Sequence, residues 1–301
     1  MGTPEFAVAS LDALIKANFN VAGVVTSPDK PAGRGLNPQA SAVKQYAVEK
    51  GLKFLQPEKL KSPEFLRQLA ELEADIQVVV AFRMLPEVVW NMPRMGTINV
   101  HASLLPNYRG AAPINWAIIN GEKQTGVTTF KLKHEIDTGD ILLQDKISIE
   151  EKETAGELHD RLKILGAELL VKTLHQLAEE KLSEKAQSEI TESGVELKHA
   201  SKIFTDTCLI NWQKSAAEIN NLIRGLSPHP AAYTHLNGKK LKIFRSEKDY
   251  FTHNDQPGSF KTDEKTLLKF ACADGFLMIK ELQLEGKKKM RVEDFLRGYK
   301  F

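Results

Sequence analysis

The densest group of chemically useful side chains lies in residues 99–113, directly after a short apolar run. Asn99 and His101 alternate there with Val100, so in an extended chain both side chains project from the same face. With a nearby carboxylate, for which Asp137 is the obvious candidate, they would supply a neutral hydrogen-bond donor, a titratable imidazole and a group that orients it. The three residues are therefore candidates for acid–base chemistry.

Each of these residues also has a purely structural interpretation. Asn99 and His101 could satisfy backbone groups at the end of a strand, and Asp137 could be a turn aspartate in the segment 137–140. Spacing alone leaves both interpretations open. Metal chemistry has less support, because the eight histidines form no HExxH pattern and the two cysteines, Cys208 and Cys272, have no ligand neighbours at the usual intervals. We therefore predict no metal site.

The first 150 residues must position this group. Apolar runs of strand length at 21–26, 76–81 and 97–100 are separated by stretches with helical periodicity. One such helix is predicted to begin at Ser62-Pro63, with serine as the N-cap and proline in the first turn. Repeated units of this kind predict an α/β fold with a doubly wound parallel sheet, in which ligands bind at the carboxyl ends of the strands.

The rest of the chain predicts a second domain. Two further strands, at 125–132 and 141–149, flank the loop that contains Asp137, and a long helix begins at Thr154 with Glu157 completing a capping box. We place the catalytic domain at 1–180 and a polar linker at 181–203. Residues 204–301 contain short alternating segments, a hairpin signal at Asn237-Gly238 and a helix near 215–224, which indicates a smaller β-barrel domain.

The charge is divided unevenly between these parts. The chain has 41 basic and 39 acidic side chains, a formal net charge of +2. Residues 1–200 hold 23 basic and 27 acidic groups (23 − 27 = −4), whereas residues 201–301 hold 18 and 12 (18 − 12 = +6). A phosphate-rich partner would favour such a basic C-terminal part, although a solvated lysine-rich surface produces the same count.

Composition excludes several classes of protein. With 42% hydrophobic and 27% charged residues, the 301-residue chain is neither disordered nor collagen-like. Two isolated cysteines make a disulfide framework improbable and favour a reducing, cytoplasmic location. No apolar run approaches the roughly 20 residues of a membrane span, so we expect no membrane partner.

Several ordered motifs together resemble the methionyl-tRNA formyltransferases, a family within the folate-dependent formyltransferase superfamily. The similarity extends over nearly the whole chain. The segment from Asn99 through Ser103-Leu104-Leu105-Pro106 is typical of the superfamily, and the loop around Arg34 is typical of the tRNA-specific family. The matching segments are 2–8, 28–35, 99–116, 137–141, 223–228 and 284–288.

The resemblance implies a fold, a reaction and a set of site residues. It implies a Rossmann-like N-terminal domain and an OB-like barrel that contacts tRNA. It assigns catalysis to Asn99, His101 and Asp137. It places the co-substrate 10-formyltetrahydrofolate near Ser103, Leu104, Leu105 and Pro106. It places Arg34 beside the acceptor end of the initiator methionyl-tRNA, whose α-amine would receive the formyl group at the start of translation.

The basic residues of the C-terminal part are candidates for contacts to that tRNA. Lys287, Lys288 and Lys289, with Arg224 and Arg245 among their neighbours, could form a stripe along an RNA backbone. The same lysines could equally form a solvated turn. We expect the protein to act as a monomer.

Two alternatives and one departure from the family pattern accompany this interpretation. The acceptor could be another amine, such as a sugar nucleotide or glycinamide ribonucleotide, or the chain could be a non-catalytic RNA-binding relative. The departure is at Met1, which stands where the family has a strand of about six apolar residues before the segment 2–7. We therefore expect that the native protein begins upstream of Met1 and that the first strand of the sheet is missing here.

Overall fold

The computed structural model describes residues 1–32, 37–190 and 196–301, and the chain divides into two compact units. Unit 1 consists of Met1–Arg109, Gly126–Ile147 and His159–Lys198. Unit 2 consists of Gly110–Thr125, Ser148–Leu158 and His199–Phe301. The second unit thus includes two segments that interrupt the first unit along the chain. The predicted domain boundaries at 180 and 204 remain predictions.

Two of the helices begin at the capping residues that the sequence predicts. The hydroxyl of Ser62 accepts a hydrogen bond from the Phe65 amide, and Thr154 and Glu157 form the predicted capping box. No helix within the described ranges is long and apolar enough to cross a membrane. The helices are α1 (Glu5–Lys16), α2 (Ala42–Glu49), α3 (Pro63–Ala70), α4 (Glu87–Trp90), α5 (Pro113–Ile119), α6 (Ala155–Ala178), α7 (Gln187–Ile190), α8 (Ala216–Leu226) and α9 (Val292–Gly298).

The strands range from two to eleven residues in length. They are β1 (Val24–Val25), β2 (Lys30–Ala32), β3 (Asn37–Gln39), β4 (Phe54–Leu55), β5 (Gln77–Val80), β6 (Thr97–His101), β7 (Arg109–Gly110), β8 (Gln124–Lys131), β9 (Ile141–Ser148), β10 (His199–Ala200), β11 (Ala232–Leu236), β12 (Lys239–Asp249), β13 (Phe260–Thr262), β14 (Leu268–Ala271), β15 (Phe276–Leu284) and β16 (Met290–Arg291).

Unit 1 contains the predicted parallel strands. β1 pairs with β4 in parallel, and β5 pairs with β6 in parallel, with Val80 opposite Val100. β8 then pairs antiparallel with β6, which gives a four-stranded sheet in the order β5-β6-β8-β9. Because β5 and β6 are parallel, their carboxyl ends meet at one edge of the sheet. His101 is the last residue of β6 and lies at that edge.

A cavity of about 370 Å³ lies in unit 1 between β1 and β5. The backbone of Met1 and Gly2 bridges these strands at one end of the cavity, since Gly2 N donates to Val25 O and Val80 N donates to Met1 O. The Met1 nitrogen also donates to Val78 O at 2.6 Å. The expectation of an upstream strand remains a prediction.

Unit 2 is built on an antiparallel sheet in the order β11-β12-β15-β14-β13, with β16 added beside β15. The sheet curls into a half-barrel, and the buried face of α8 joins its apolar core through Ile219, Ile223 and Leu226. The turn between β11 and β12 is the predicted Asn237-Gly238, where both residues have positive φ, as a two-residue hairpin requires. The predicted α/β unit followed by a smaller, barrel-like sheet domain is therefore confirmed.

Candidate active site

His101 is held from two sides in unit 1. Its Nε2–H donates to the carbonyl oxygen of Tyr108 at 2.8 Å, and its Nδ1 lies 3.8 Å from Asp137 Oδ2. Only 8% of the imidazole side chain and 11% of the carboxylate side chain are exposed. A carbonyl oxygen cannot donate, so Nε2 carries a hydrogen and Nδ1 is the nitrogen that faces the carboxylate. The structure thus brings together His101 and Asp137, as the sequence predicts.

Asp137 lies in the tight loop between β8 and β9. Its φ is +54°, a left-handed conformation that aspartate tolerates better than most residues. Two residues later, a Cβ on Gly139 would lie only 1.6 Å from the Lys131 carbonyl oxygen, so only glycine fits. The loop is therefore packed directly against the end of β8, and this packing directs the Asp137 carboxylate towards the imidazole.

Asn99 lies two residues before His101 on β6, with Val79 opposite it on one neighbouring strand and Phe130 on the other. Its side chain is half-buried. No hydrogen bond joins the Asn99 side chain to any other described residue, so its amide can donate to a substrate. The alternation along β6 places this amide on the same face of the strand as His101.

The segment predicted to lie beside the folate is largely buried. The Ser103 hydroxyl donates to the Asn107 carbonyl at 2.7 Å, and the side chains of Leu105 and Pro106 are also buried, which leaves Leu104 half-buried. Ser103, Leu105 and Pro106 therefore shape the loop after β6 from within. Their proximity to a folate remains a prediction.

Thr128 supports this loop from β8. Its hydroxyl donates to Ser103 O at 2.7 Å and accepts from the amide of Leu105 at 3.1 Å. Gln144 Nε2 donates to the same hydroxyl at 2.9 Å and to the Leu105 carbonyl at 2.8 Å. The backbone after His101 is thus fixed by side chains from β8 and β9.

The lysines predicted to contact tRNA are exposed, unlike the largely buried segment after His101. Lys287, Lys288 and Lys289 are exposed in the turn between β15 and β16, and Lys289 also pairs with Glu281 at 2.7 Å. Arg34 falls outside the described residues.

Arg224 does not belong to this basic surface, so that part of the predicted stripe is wrong. The side chain is buried in unit 2, where Nη1 donates to the carbonyl oxygens of Glu150 at 3.4 Å and Glu153 at 3.3 Å. Burial lowers the pKa of the Arg224 guanidinium from its usual value. The arginine satisfies backbone acceptors in the interior because its long side chain reaches the loop before α6.

These groups suit acyl transfer to an amine. An amide donor and an imidazole on one strand face can stabilise an oxyanion, while a buried carboxylate can hold the ring and accept a proton. Among the described residues, no group of three histidine, cysteine, aspartate or glutamate side chains lies close enough to hold a metal ion. The cluster itself supplies hydrogen-bond donors and a carboxylate base.

Comparison with known families identifies the fold and the family. The family model for formyl transferase matches residues 1–174, and the model for the formyl transferase C-terminal domain matches residues 202–300. The chain belongs to the formyl transferase family. The family resemblance read from the sequence is thereby confirmed.

Two curated formyl transferases are similar over their full length. The methionyl-tRNA formyltransferase of Parabacteroides distasonis is 54% identical over 306 residues, with 100% of this chain and 94% of that protein covered. The methionyl-tRNA formyltransferase of Bacteroides fragilis is 52% identical over 304 residues, with coverages of 99% and 94%.

A solved formyl transferase structure has the same fold. The crystal structure of the N-formyltransferase from Helicobacter canadensis, in complex with folinic acid and dTDP-3-aminofucose, has a TM-score of 0.69. It is 23% identical in sequence, and the alignment covers 96% of this chain and 97% of that one.

This chain also contains residues near the candidate site that the sequence did not indicate. Gln187, Thr128 and Gln144 bond to the segments that carry Asp137 or follow His101. Arg109 lies in the segment after His101 and donates to Gln187. Isolated glutamines and threonines in polar or strand-like sequence carry no local signal of such a role. Their importance depends on partners that lie far away in the sequence.

Proposed function

We propose that the chain transfers the formyl group of 10-formyltetrahydrofolate to the α-amino group of methionyl initiator tRNA, as an enzyme of translation initiation. The observation that carries the reaction type is the pairing of His101 Nδ1 with Asp137 Oδ2 beside the Asn99 amide at the carboxyl edge of the sheet. Full-length similarity to curated methionyl-tRNA formyltransferases favours charged tRNA as the acceptor.

The reaction needs an unprotonated amine. An α-amine has a pKa near 8, so a fraction is neutral at pH 7 and can attack the formyl carbon directly. The attack forms a carbon–nitrogen bond and pushes an electron pair onto the formyl oxygen. The Asn99 amide donates to this oxyanion, and the positive charge of a protonated His101, whose two ring nitrogens face Tyr108 O and Asp137, stabilises it electrostatically. No covalent enzyme intermediate is required.

Proton transfer then allows the intermediate to collapse. The attacking nitrogen becomes positively charged and loses a proton, for which the Asp137 carboxylate, directly or through water, is the nearby base. The bond between the formyl carbon and the folate nitrogen breaks, and that nitrogen takes up a proton. The products are formylmethionyl-tRNA and tetrahydrofolate. Asp137 also orients the imidazole, while Tyr108 O holds its opposite edge.

The tRNA contacts belong to the same proposal. An exposed basic turn is formed by Lys287, Lys288 and Lys289. It lies within residues 201–301, the part of the chain whose net charge is positive. Lysines of this kind follow a phosphate backbone without reading bases. Arg34 is proposed to contact the acceptor end. We place the reaction in the cytoplasm, where initiator tRNA is charged and used, and the monomeric state remains a prediction.

The direct test is transfer of labelled formyl from 10-formyltetrahydrofolate to methionyl initiator tRNA. Methionyl elongator tRNA, an amino-sugar nucleotide and glycinamide ribonucleotide serve as competing acceptors in parallel reactions. We expect efficient transfer to the initiator tRNA alone. Transfer to one of the small amines in its place would establish a different acceptor, and transfer to none would contradict the enzymatic proposal.

Asn99→Ala tests the oxyanion role. Removing one oxyanion donor typically slows the chemical step by ~10²–10³. The single-turnover formylation rate should fall by that factor, whereas Asn91→Ala, an exposed asparagine in the same unit, should leave it unchanged. An Asn99→Ala enzyme with a normal single-turnover rate would remove Asn99 from the mechanism.

A further inference from the structure

Gln187 lies in the part of the chain predicted to be a linker, yet its side chain is buried in unit 1. It is the first residue of α7 and is only 3% exposed. Two residues earlier, Lys185 pairs with Ile141 through hydrogen bonds of 2.9 and 3.0 Å between their backbones. The segment thus runs beside the start of β9 and delivers Gln187 to the loop that contains Asp137.

The Gln187 amide bonds to two separate parts of the site. Its Nε2 donates to the carbonyl oxygens of Asp137 and Gly139, each at 2.8 Å. Its Oε1 accepts from Arg109 Nε at 3.0 Å and from Arg109 Nη2 at 2.6 Å. Two donor hydrogens and two acceptor sites are the full capacity of an amide side chain, so every one is used.

These two parts are the ones that hold the His101 ring. Asp137 faces Nδ1, while Nε2 donates to the carbonyl of Tyr108, the residue that precedes Arg109. The two partners of the imidazole come from different loops, one after β6 and one after β8. Gln187 connects these loops, because it bonds to Asp137 on one side and to Arg109 on the other.

We propose that Gln187 is a positioning residue that holds the Asp137 loop and the Tyr108-Arg109 segment at a fixed separation, and so sets the orientation of His101 for formyl transfer. The expected effect on kcat rests on the proposed function, whereas the expected effect on the position of the His101 ring does not. A glutamate would keep the acceptor for Arg109 and lose both donors. A methionine would lose all four bonds at nearly the same volume.

Kinetics of Gln187→Met test the proposal. Misplacing a catalytic group by about 1 Å can cost up to ~10²-fold in rate. We expect kcat for formylation to fall by ~10- to 100-fold, with the KM for formyl-folate and for tRNA within about twofold of wild type, because no substrate contact is removed. The pH profile of kcat should also change, since the environment of His101 changes. Gln77→Met is the matched control, because Gln77 is a buried glutamine on β5 of the same unit.

A second measurement does not depend on turnover. The imidazole ¹H–¹⁵N signals of His101, assigned by their loss in His101→Gln, should shift in Gln187→Met and stay in place in Gln77→Met. Should Gln187→Met fail to fold, Gln187→Glu takes its place with the same expected results. Unmoved His101 signals, or an unchanged kcat and pH profile in an enzyme that is active as wild type, would overturn the proposal. An inactive wild type with shifted His101 signals would instead contradict the proposed function and keep the positioning role.

Discussion

The His101 cluster of unit 1 and the lysine turn of unit 2 are built in opposite ways. His101, Asp137 and Gln187 are buried, and their hydrogen-bond partners come from distant parts of the chain. Lys287 and Lys288 are exposed at the tip of a hairpin. Proton transfer depends on distances within a few tenths of an ångström, whereas attraction to a phosphate backbone depends mainly on charge. The same chain therefore requires a rigid interior for chemistry and tolerates flexible side chains for binding.

The largest effect should follow from Asp137→Asn. The variant keeps the size of the side chain and removes the negative charge and the base, which typically contribute 10²–10⁴-fold to a rate. We expect kcat to fall within that range, with tRNA affinity unchanged, as measured by single-turnover formylation and filter binding. Asp145→Asn, an exposed aspartate on β9, is the control. If both variants lost activity equally, buried geometry would not distinguish the two sites.

The sequence predicts the elements better than the contacts between them. The helix starts at Ser62 and Thr154 and the hairpin at Asn237-Gly238 depend on residues within three positions of each other, so local chemistry is sufficient. Arg224 follows Ile223 on a helix that buries most of its surface, and the carbonyl oxygens that its Nη1 bonds to are 71 and 74 residues away. A basic residue is usually exposed, so sequence alone predicted the wrong surface for it.

The next largest effect concerns stability. Thr128→Val preserves shape but removes the hydroxyl that bonds to Ser103 O, Leu105 N and Gln144. Because each buried polar group left without a partner costs about 1–3 kcal/mol, we expect urea unfolding of unit 1 to show a loss of about 2–3 kcal/mol. Thr128→Ser should recover most of that loss. An exposed threonine, Thr252, changed to valine should alter stability by less than about 0.5 kcal/mol. Equal losses at both sites would show that the bonds of Thr128 contribute little.

A smaller effect is expected at the basic turn. Changing Lys287, Lys288 and Lys289 together to alanine should weaken tRNA binding and reduce the slope of log affinity against log salt by roughly two to three, one per lost phosphate contact. The single-turnover rate at saturating tRNA should not change. The matched control replaces three exposed lysines of unit 1, Lys53, Lys59 and Lys61. An unchanged salt slope in the first variant would make the turn an ordinary solvated surface.

The smallest effect tests whether the interior of unit 2 is as closed as that of unit 1. Cys208 and Cys272 are both buried, and burial raises the pKa of the Cys272 thiol to about 12. We expect neither thiol to react with a thiol-titrating disulfide reagent in the native protein at pH 8, and both to react in denaturant. Rapid reaction of a native thiol would show that the half-barrel opens easily, unlike the His101 cluster.

The part of the candidate site that depends on local sequence patterns was predictable. Asn99 and His101 share one strand, so their common face follows from a period of two. Asp137 stands out as a carboxylate in a glycine-containing loop. Gln187 has no such signal, because its role depends on carbonyl groups 48 and 50 residues earlier in the chain. The sequence thus indicates the groups proposed to react but not the residue proposed to fix the distance between them.

The interleaving of the two units has a consequence for biosynthesis. All segments of unit 1 have been translated once Lys198 is added, so the His101 cluster, Gln187 included, can assemble while the rest is still being made. At about 5–20 residues per second, the last 103 residues, His199 to Phe301, take roughly 5–20 s. For that interval Gly110–Thr125 and Ser148–Leu158 have been synthesised without the sheet and helix they join. A nascent chain stalled after Lys198 has left the ribosome should therefore have an ordered His101 cluster, with two segments of unit 2 that are substrates for chaperones and proteases.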